Sequence, residues 1–436
     1  MSALTGFLRA DGRKGVRNVV AVAYLVECAH HVARTIVTKS DDPDVHLIGF
    51  PGCYPNAYAL KVMQAIGAHP NVGGVLLISL GCESFNREAL RATIAASGRP
   101  VEVLVIQESG GTAETVRKGV EAVARLKAIA DQAPRVPMDV SELVIGTICG
   151  GSDGTSGITA NPAVGRAFDR LGAAGAACVF EETGELVGCE KIMADRAITP
   201  ELGLALEASV RKAEAYYTVM GYGSFAPGNA EGGLTTQEEK SMGAYSKSGS
   251  APIVGILKPG DQPVSGGLYL LDVVPDGEVR FGFPNISDNA EIVELIACGA
   301  HLTLFTTGRG SVVGSAISPV IKVCANPETY RKLSGDMDVD AGRIMEGRGT
   351  LDEVGDEIFD LVLAVAGGAR TVSEALGHQE FILTYKAFDP IGPACLPAAA
   401  ARKLRGDTDG KTFRQDRPRD GGRPRHRQGQ RRTLRP

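Results

Sequence analysis

Hydrophobic residues in the first 135 positions occur in short continuous runs, and segments with helical periodicity separate these runs. The runs are apolar almost throughout instead of alternating, which is typical of parallel strands buried on both faces. The predicted strands are 18–25, 45–50, 74–80 and 101–107. The predicted helices begin at about Glu27 and then cover 57–67, 86–96 and 111–132. This alternation predicts a parallel sheet with crossover helices.

The same alternation continues after the proline-containing linker QAPRVPMDV. Two strand-like runs, ELVIGTI and AACVFEE, come first, and a long helical pattern follows them from about Pro200 to Val219. A glycine-rich passage then precedes three further strand-like runs, PIVGILK, GLYLLDVV and HLTLFTTG. We therefore expect an α/β protein of several domains, with parallel doubly wound sheets and a further C-terminal α/β region. The predicted units are an N-terminal α/β domain (1–135), a second α/β unit (141–225), a C-terminal α/β region (226–397) and a disordered basic tail (398–436).

Composition limits the protein class. The chain has 436 residues, of which 44% are hydrophobic and 22% charged, and these proportions are typical of a soluble globular protein with two or three cores. The first residues lack the apolar region of a signal peptide and no apolar run is long enough to span a bilayer, so we expect a cytoplasmic protein with no membrane partner. Nine cysteines without a C-x-x-C pair indicate reduced thiols.

Charge is distributed unevenly along the chain. The segment 401–436 carries a net charge of +9, and the preceding residues carry −14. The segment is rich in Arg, Pro and Gly and poor in aliphatic residues, so it is predicted to be disordered. A nucleic-acid-binding arm is the alternative, but aromatic residues are scarce there, so we do not expect a nucleic-acid partner.

Four cysteines follow predicted strands in the first third of the chain, and they are Cys28, Cys53, Cys82 and Cys149. Ligands of open α/β sheets bind beyond the carboxyl ends of the strands, where thiols could hold a metal or activate a substrate. The alternative is that each is simply a buried, small hydrophobic residue.

The loop CGGSDGTSGITANP, residues 149–162, follows a predicted strand and opens a helix. Free backbone amides at such a helix start can bind an anion, so Ser152 and Asp153 are candidate substrate-binding residues. The spacing of Gly151, Gly154 and Gly157 loosely imitates a dinucleotide-binding motif, with Glu181 or Glu182 as the ribose-binding acid, although the G-x-G pair is missing. A nicotinamide-dependent dehydrogenase is thus an alternative of a different class, and a tight structural turn is another.

Two further loops carry candidate substrate-binding residues. In TTGRGSVVG, Arg309 follows Thr307 and Gly308, and a guanidinium can grip a carboxylate or sulfonate with two parallel bonds. In GNAEGGLTTQEEKSMG the candidates are Asn229, Thr235, Thr236 and Lys240. Capping of a helix by Thr236 is the alternative interpretation, since Glu239 follows at the spacing of a capping box.

Polar residues elsewhere complete the candidates. Arg17 lies in the opening turn ADGRKGVRN, where a solvated charged loop is the alternative. His69 and Glu83 bracket one predicted strand, and His69 could equally terminate a helix.

Six segments together resemble the altronate/galactarate dehydratase family in its large-subunit form. They are RADGRKGVRN, HPNVGGVLLISLGCE, CGGSDGTSGITANPAVG, EETGELVGCE, GNAEGGLTTQEEKSMGA and TTGRGS. The resemblance implies metal-dependent β-elimination on a small 2-hydroxy acid, with ferrous iron as the metal. It also implies a small partner domain or subunit, which we expect as a separate chain in a hetero-oligomer.

The same resemblance implies which residue types act. The pool of metal ligands and bases is Cys28, Cys53, Cys82, Glu83, Cys149, Asp153, Glu182 and Glu190, among which we expect the cysteines to bind the metal. Lys240, Glu83 and His69 are the catalytic candidates. The segments ECAHHVAR, ILKPGDQP and LLDVVPDGEVRFGFPNISDNAEIVELIACGAH are similar to the sulfolactate sulfo-lyase branch of the family, whose members expel sulfite instead of water.

Overall fold

Strands and helices alternate along most of the chain, as the hydrophobic pattern predicts. A computed structural model describes residues 4–221, 227–277, 287–384 and 386, all within a unit that spans residues 1–391. The strands are β1 (Thr5–Leu8), β2 (Lys14–Gly15), β3 (Val19–Tyr24), β4 (Val45–Gly49), β5 (Val72–Ser79), β6 (Val101–Val105), β7 (Arg135–Pro137), β8 (Val144–Cys149), β9 (Ala177–Phe180), β10 (Ile253–Leu257), β11 (Gly267–Leu271), β12 (Leu302–Thr307), β13 (Val320–Cys324) and β14 (Val339–Asp340).

Helices connect most of these strands. They are α1 (Glu27–Ser40), α2 (Ala57–Gly67), α3 (Arg87–Ala96), α4 (Ile106–Ser109), α5 (Thr112–Ala130), α6 (Ala160–Ala173), α7 (Glu190–Ala194), α8 (Pro200–Met220), α9 (Pro227–Glu231), α10 (Gln237–Ser246), α11 (Asp288–Ala297), α12 (Pro327–Lys332), α13 (Leu351–Ala366) and α14 (Val372–Leu376).

The N-terminal runs form a four-stranded parallel sheet in the order β4-β3-β5-β6. Every residue of β5 is buried, because helices cover both faces of the sheet. Strand β6 ends at Val105, two residues before its predicted end, since α4 begins at the next residue. The parallel arrangement predicted from continuous apolar runs is confirmed.

The remaining parallel strands form one seven-stranded sheet in the order β10-β11-β9-β8-β12-β13-β14. The segments 141–225 and 226–397, which we expected to be separate units, both contribute strands to this sheet. Strand β8 pairs with β9 of its own segment and with β12 of the other. The glycine-rich passage therefore joins two parts of one sheet, because the hydrogen-bonded neighbours of a strand need not be close in sequence.

Two long elements of this part were not predicted. Helix α11 is buried along nearly its whole length, so it lacks the polar face that gives a helix its periodic signal. Strand β13 has Lys322 at its centre, and a charged residue interrupts the apolar run expected of a buried strand.

A third, antiparallel sheet has the order β2-β1-β7 and joins the opening turn to the linker before β8. No helix of the described residues is long and apolar enough to cross a membrane. The predicted tail, 398–436, lies outside the described residues.

Candidate active site

Cys149 is the last residue of β8, the middle strand of the seven-stranded sheet, and its side chain is buried. The backbone amide of Gly150 donates to the carbonyl of Thr306 at the end of β12 (3.0 Å), so the loops that follow β8 and β12 begin side by side. This edge is where the carboxyl ends of the parallel strands meet, and it is the usual ligand-binding edge of such a sheet.

Two carboxylates from the segment after β9 approach the Cys149 sulfur. An oxygen of Glu182 and an oxygen of Glu185 each lie 3.4 Å from Sγ, and the Cys149 amide donates to Glu182 (2.8 Å). Glu182 has a φ of +83°, a left-handed conformation uncommon for residues other than glycine. Such strain is typical of functional sites, and here it turns the carboxylate back toward β8.

One ligand atom from each of Cys149, Glu182 and Glu185 lies within 4.8 Å of the others, a spacing that can hold a metal ion. A thiolate with two carboxylates suits a divalent ion of intermediate softness such as Fe²⁺ or Zn²⁺. We call this group the Cys149 centre.

Lys240 completes the surroundings of the centre. Its Nζ lies 3.2 Å from the Cys149 sulfur and 3.2 Å from the Ser152 hydroxyl, and it forms an ion pair with Glu185. Burial by itself would lower the pKa of Lys240, but the charges of Cys149 and Glu185 outweigh it and raise the pKa above its usual range. Without a metal, the lysine is therefore an ammonium ion.

Lys240 reaches the centre because of where α10 begins. The Thr236 hydroxyl accepts a hydrogen bond from the Glu239 amide (3.2 Å) and caps the helix, which places Lys240 one turn further along. A second lysine, Lys247 at the C-terminal end of α10, is buried and pairs with Glu182.

The loop that carries Arg309 lies against the loop that follows Cys149. The Arg309 amide donates to the Gly151 carbonyl (2.8 Å). The Arg309 guanidinium donates to the Gly228 carbonyl (2.6 Å), and its side chain remains 41% exposed. Arg309 is thus positioned at the open side of the loops around the centre.

An acidic cavity of about 70 Å³ adjoins the Cys149 centre. Its carboxylates are those of Glu181, Glu182, Glu185, Asp288 and Glu291. Burial, followed by the nearby Glu294 charge, raises the pKa of Glu181 to about 8. Burial and the Glu185 charge raise the pKa of Asp288 to about 6, and burial with the Glu181 charge raises that of Glu291 well above its ordinary value.

Two family models match the chain. One, described as "D-galactarate/Altronate dehydratase, C-terminal", matches residues 140–388, and the other, "D-galactarate dehydratase/Altronate hydrolase, second domain", matches residues 6–131. The chain belongs to the D-galactarate/altronate dehydratase family. The resemblance seen in the sequence motifs is thereby confirmed.

Curated relatives in the family carry two kinds of name. The chain is 34% identical over 405 residues to the (2R)-sulfolactate sulfo-lyase subunit beta of Chromohalobacter salexigens. This alignment covers 87% of the present chain and 96% of that protein. It is 30% identical over 394 residues to the altronate dehydratase of Escherichia coli (86% of this chain, 76% of that protein). It is 32% identical over 403 residues to the galactarate dehydratase (L-threo-forming) of the same organism (85% and 74%). The relatives are thus lyases and dehydratases.

The family's CGGSDGTSG segment is held mostly by its own contacts. Asp153 accepts hydrogen bonds from the Thr155 amide (2.9 Å) and from Asn326 (2.9 Å), and the Gly154 amide donates to the Gly232 carbonyl (3.0 Å). These contacts occupy amides that we expected to bind a substrate anion. Ser152 is different, because its hydroxyl lies 3.3 Å from the Cys149 sulfur.

The glycine and threonine candidates mostly serve the packing of these loops. A Cβ on Gly308 would lie 2.1 Å from the Asp153 carboxylate, and Thr307 accepts from the Gly310 amide (3.0 Å). Thr235 donates to Glu239 next to the Thr236 cap, and the Asn229 carbonyl accepts from the Leu234 amide (3.2 Å). Roles in substrate binding for these residues stay predictions.

Arg17, His69 and Glu83 do not join the Cys149 centre. The Arg17 guanidinium pairs with Glu374 (2.6 Å) and donates to three backbone carbonyls. His69 is buried where α2 meets β5 and accepts from the Asn71 amide (3.0 Å), and burial lowers its pKa well below the usual value. Glu83 accepts from Ser79 and from the Gly81 amide (2.8 Å) in its own loop.

The other three predicted metal ligands, Cys28, Cys53 and Cys82, are exposed and follow the adjacent strands β3, β4 and β5. The Ser84 amide donates to the Cys53 carbonyl (2.9 Å), so two of their loops are in contact. The only metal-competent group of three among the described residues contains Cys149 and none of these thiols. Their ligation stays a prediction without support from the described contacts.

Sequence reasoning missed several members of the site. Glu185 lies inside the quoted EETGELVGCE segment, but nothing in the segment shows which of its acids turns toward Cys149. Lys247 and Asp288 had no local signal, because they reach the site through tertiary contacts. A buried glutamate inside an apolar helix, such as Glu291 in α11, is the clue that could have been used.

Proposed function

We propose that this chain is the large, metal-binding subunit of a lyase that performs β-elimination on a 2-hydroxy acid, with (2R)-3-sulfolactate as substrate and pyruvate and sulfite as products. The observation that carries the proposal is the buried Cys149 centre with Lys240 in contact and the Arg309 loop alongside. The family's lyases and dehydratases support the reaction type.

The reaction requires fixed positive charge. The C2–H bond of a 2-hydroxy acid lies beside an ionised carboxylate and is a very weak acid, so loss of its proton needs stabilisation of the enediolate that develops. We assign Arg309 to the substrate's carboxylate or sulfonate, since its guanidinium is exposed and adjoins the Cys149 loop. A Fe²⁺ ion held by Cys149, Glu182 and Glu185 would supply Lewis-acid charge at the substrate's oxygens when bound.

Lys240 is our choice for the group that takes the C2 proton. Its ammonium form is maintained by Cys149 and Glu185 in the metal-free chain. When those two groups serve as ligands they no longer pair fully with the lysine, and burial then lowers its pKa toward the range of a general base. The C2–H electrons form the C2–C3 double bond, the C3–S bond breaks with its electron pair on the departing sulfite, and the resulting enol becomes pyruvate.

Two observations favour sulfolactate over a sugar acid. Identity is highest to the sulfo-lyase subunit beta among the relatives named here, and the alignment covers 96% of that protein against 74–76% of the two dehydratases. The segment from Leu270 to His301 is also similar in sequence to the sulfo-lyase branch. The alternative is an altronate/galactarate-type dehydratase, which would use the same proton abstraction and expel water from C3.

We further propose a small partner subunit, because the sulfo-lyase relative is named as a subunit beta. The experiment therefore uses the chain co-purified without oxygen with its small partner subunit and loaded with Fe²⁺. Equal amounts of sulfite and pyruvate from 3-sulfolactate are expected. Formation of an oxo-deoxy acid from altronate or galactarate, without sulfite from sulfolactate, would establish the alternative and reject our substrate assignment.

A further inference from the structure

The acidic cavity beside the Cys149 centre contains more carboxyl groups than its lysines can balance. When all five are ionised, they outnumber the two buried ammonium groups, Lys240 and Lys247, by three charges. Lys240 pairs with Glu185 and Lys247 pairs with Glu182. The excess therefore belongs to the other three carboxylates, those of Glu181, Asp288 and Glu291.

None of these three carboxylates has a salt bridge to a lysine or arginine within the described part of the chain. Lys386 forms its ion pair with Glu294 (2.7 Å), and its charge acts on Glu181 and Glu291 only without direct contact. Buried charges without a partner are strongly unfavourable, so the arrangement is stable only with protons or a cation in the cavity.

Glu181 lacks a donor from outside the acidic cluster. Its side chain is 1% exposed and lines the cavity, and no amide, hydroxyl, ammonium or guanidinium group of the described residues reaches its carboxylate oxygens, whose hydrogen-bonding neighbour is the Glu291 carboxyl. A buried polar group without a partner is rare in folded proteins, and an ion or a water molecule is the usual explanation. The cavity of about 70 Å³ exceeds the space that one water needs, so an ion with water ligands fits.

We propose that Glu181, Asp288 and Glu291 bind a second divalent cation beside the ion at the Cys149 centre. The ligand set consists of oxygen alone, so the cation belongs to the hard class that includes Mg²⁺ and Mn²⁺. The first site, with one thiolate and two carboxylates, prefers a softer ion, but its carboxylates also bind Mn²⁺ when this ion is present at saturating concentration. This inference deepens the proposed function, because it rests on a first ion held by Cys149, Glu182 and Glu185. Two adjacent ions would place additional positive charge where the substrate's anions and the enediolate must be held.

The direct test is the number of Mn²⁺ ions bound by the full chain, measured by equilibrium dialysis without oxygen. We expect two ions per wild-type chain and one per chain for Glu181→Gln, Glu291→Gln and Cys149→Ser. Glu142→Gln, which changes an acid just before the first residue of β8, at the opposite end of the strand from Cys149, should still bind two. One ion per wild-type chain, or two in both glutamine variants, would overturn the proposal.

Electron paramagnetic resonance gives a second readout that does not depend on activity. Two Mn²⁺ ions in neighbouring sites couple magnetically, so the wild-type spectrum should be broadened and that of Glu181→Gln should show the six lines of an isolated ion. If this variant fails to fold, the Mn²⁺ count and spectrum of Glu291→Gln decide.

These measurements separate this inference from the proposed function. If the chain binds two ions but eliminates nothing from any 2-hydroxy acid, the second site is supported and the lyase assignment is rejected. Sulfite release by a chain that binds a single ion would reject the second site and leave the lyase assignment intact.

Discussion

The ammonium nitrogen of Lys240 lies 3.2 Å from the sulfur of Cys149, and both side chains are buried. The contact places a positive charge directly beside a ligand of the predicted metal site. The same contact places an acid–base group next to the predicted metal, so substitutions of Cys149 and of Lys240 should have different effects on metal binding and on catalysis.

Cys149→Ser should lose the metal of the first site. A serine hydroxyl does not ionise near neutral pH, so the centre keeps two carboxylates and loses its thiolate. We expect Fe²⁺ affinity to fall by at least ~100-fold, since changes to groups that merely support a ligand already reduce affinity 10–100-fold. Metal analysis of the anaerobically purified protein measures this effect.

The matched control changes the three exposed cysteines together, as Cys28→Ala/Cys53→Ala/Cys82→Ala. Because none of them belongs to the metal-competent group of the described residues, we expect iron content to equal that of the wild type. Loss of iron in this triple variant, with retention in Cys149→Ser, would move the metal site to the N-terminal sheet.

Lys240→Met should reduce kcat by at least ~100-fold, the usual contribution of a positioned acid or base. Lys240→Arg separates the two roles of this side chain. Arginine retains the positive charge beside Cys149 but stays protonated, so an inactive Lys240→Arg variant with normal iron content indicates a base. Substantial kcat in Lys240→Arg would instead limit the lysine to electrostatic stabilisation.

Gly150→Ala should disrupt the site without changing any ionisable group. A Cβ on Gly150 would lie 2.0 Å from the Asp288 carboxylate and 2.5 Å from the Phe305 ring, so Asp288 must move. We expect weaker divalent-ion binding and a lower melting temperature. Gly172→Ala is the control, because its Cβ meets nothing within 4 Å on helix α6 and alanine favours the helix by about 0.5–1 kcal/mol. Equal effects of the two substitutions would contradict the predicted clash.

Arg309→Lys should raise KM for the anionic substrate by at least ~10-fold while kcat changes less. The lysine retains the charge but lacks the planar pair of donors that grips a carboxylate or sulfonate. Steady-state kinetics measure the two constants separately. An unchanged KM would show that Arg309 only holds the 228–233 segment through the Gly228 carbonyl.

Acid stability should depend on His301, which is buried where the opening turn meets the seven-stranded sheet. Its Nδ1 accepts from the Val144 amide (3.0 Å), a contact that needs the neutral ring, and its Nε2 lies 2.9 Å from the Lys14 carbonyl. Burial lowers its pKa from 6.5 to about 4. The unfolded chain therefore binds a proton more readily between these values, so stability is full above pH 6.5 and is lost as the pH falls toward 4.

The loss from this one histidine amounts to about 3 kcal/mol, from ~1.4 kcal/mol per pKa unit. Denaturant unfolding at pH 7.5 and pH 4.5 measures it. His301→Asn should be less stable than the wild type at pH 7.5, and its free energy of unfolding should change less between the two pH values. An identical pH dependence in both proteins would show that His301 does not contribute to acid lability.

Part of the site could be predicted from the sequence because its signals are local. The end of a buried strand places Cys149, the capping pattern at Thr236 places Lys240 one turn later, and the run after His301 places Arg309 at a strand end. The contact between the Gly151 and Arg309 loops follows from two parallel strands that end at the same edge. The acidic cavity could not be predicted in this way, since Glu181 and Asp288 are 107 positions apart and no local pattern relates them.

The sequence by itself determined the α/β class, most strand and helix positions and the family, because burial and periodicity act over a few residues and the motifs are contiguous. Only the tertiary structure decided that segments on both sides of the glycine-rich passage share one sheet, and that Cys149, and none of the three exposed cysteines, lies with two glutamates and Lys240. The physical reason is that strand order and side-chain direction are fixed by packing across the whole unit. A left-handed turn at Glu182 or an ion pair such as Lys247–Glu182 forms only when distant elements have docked.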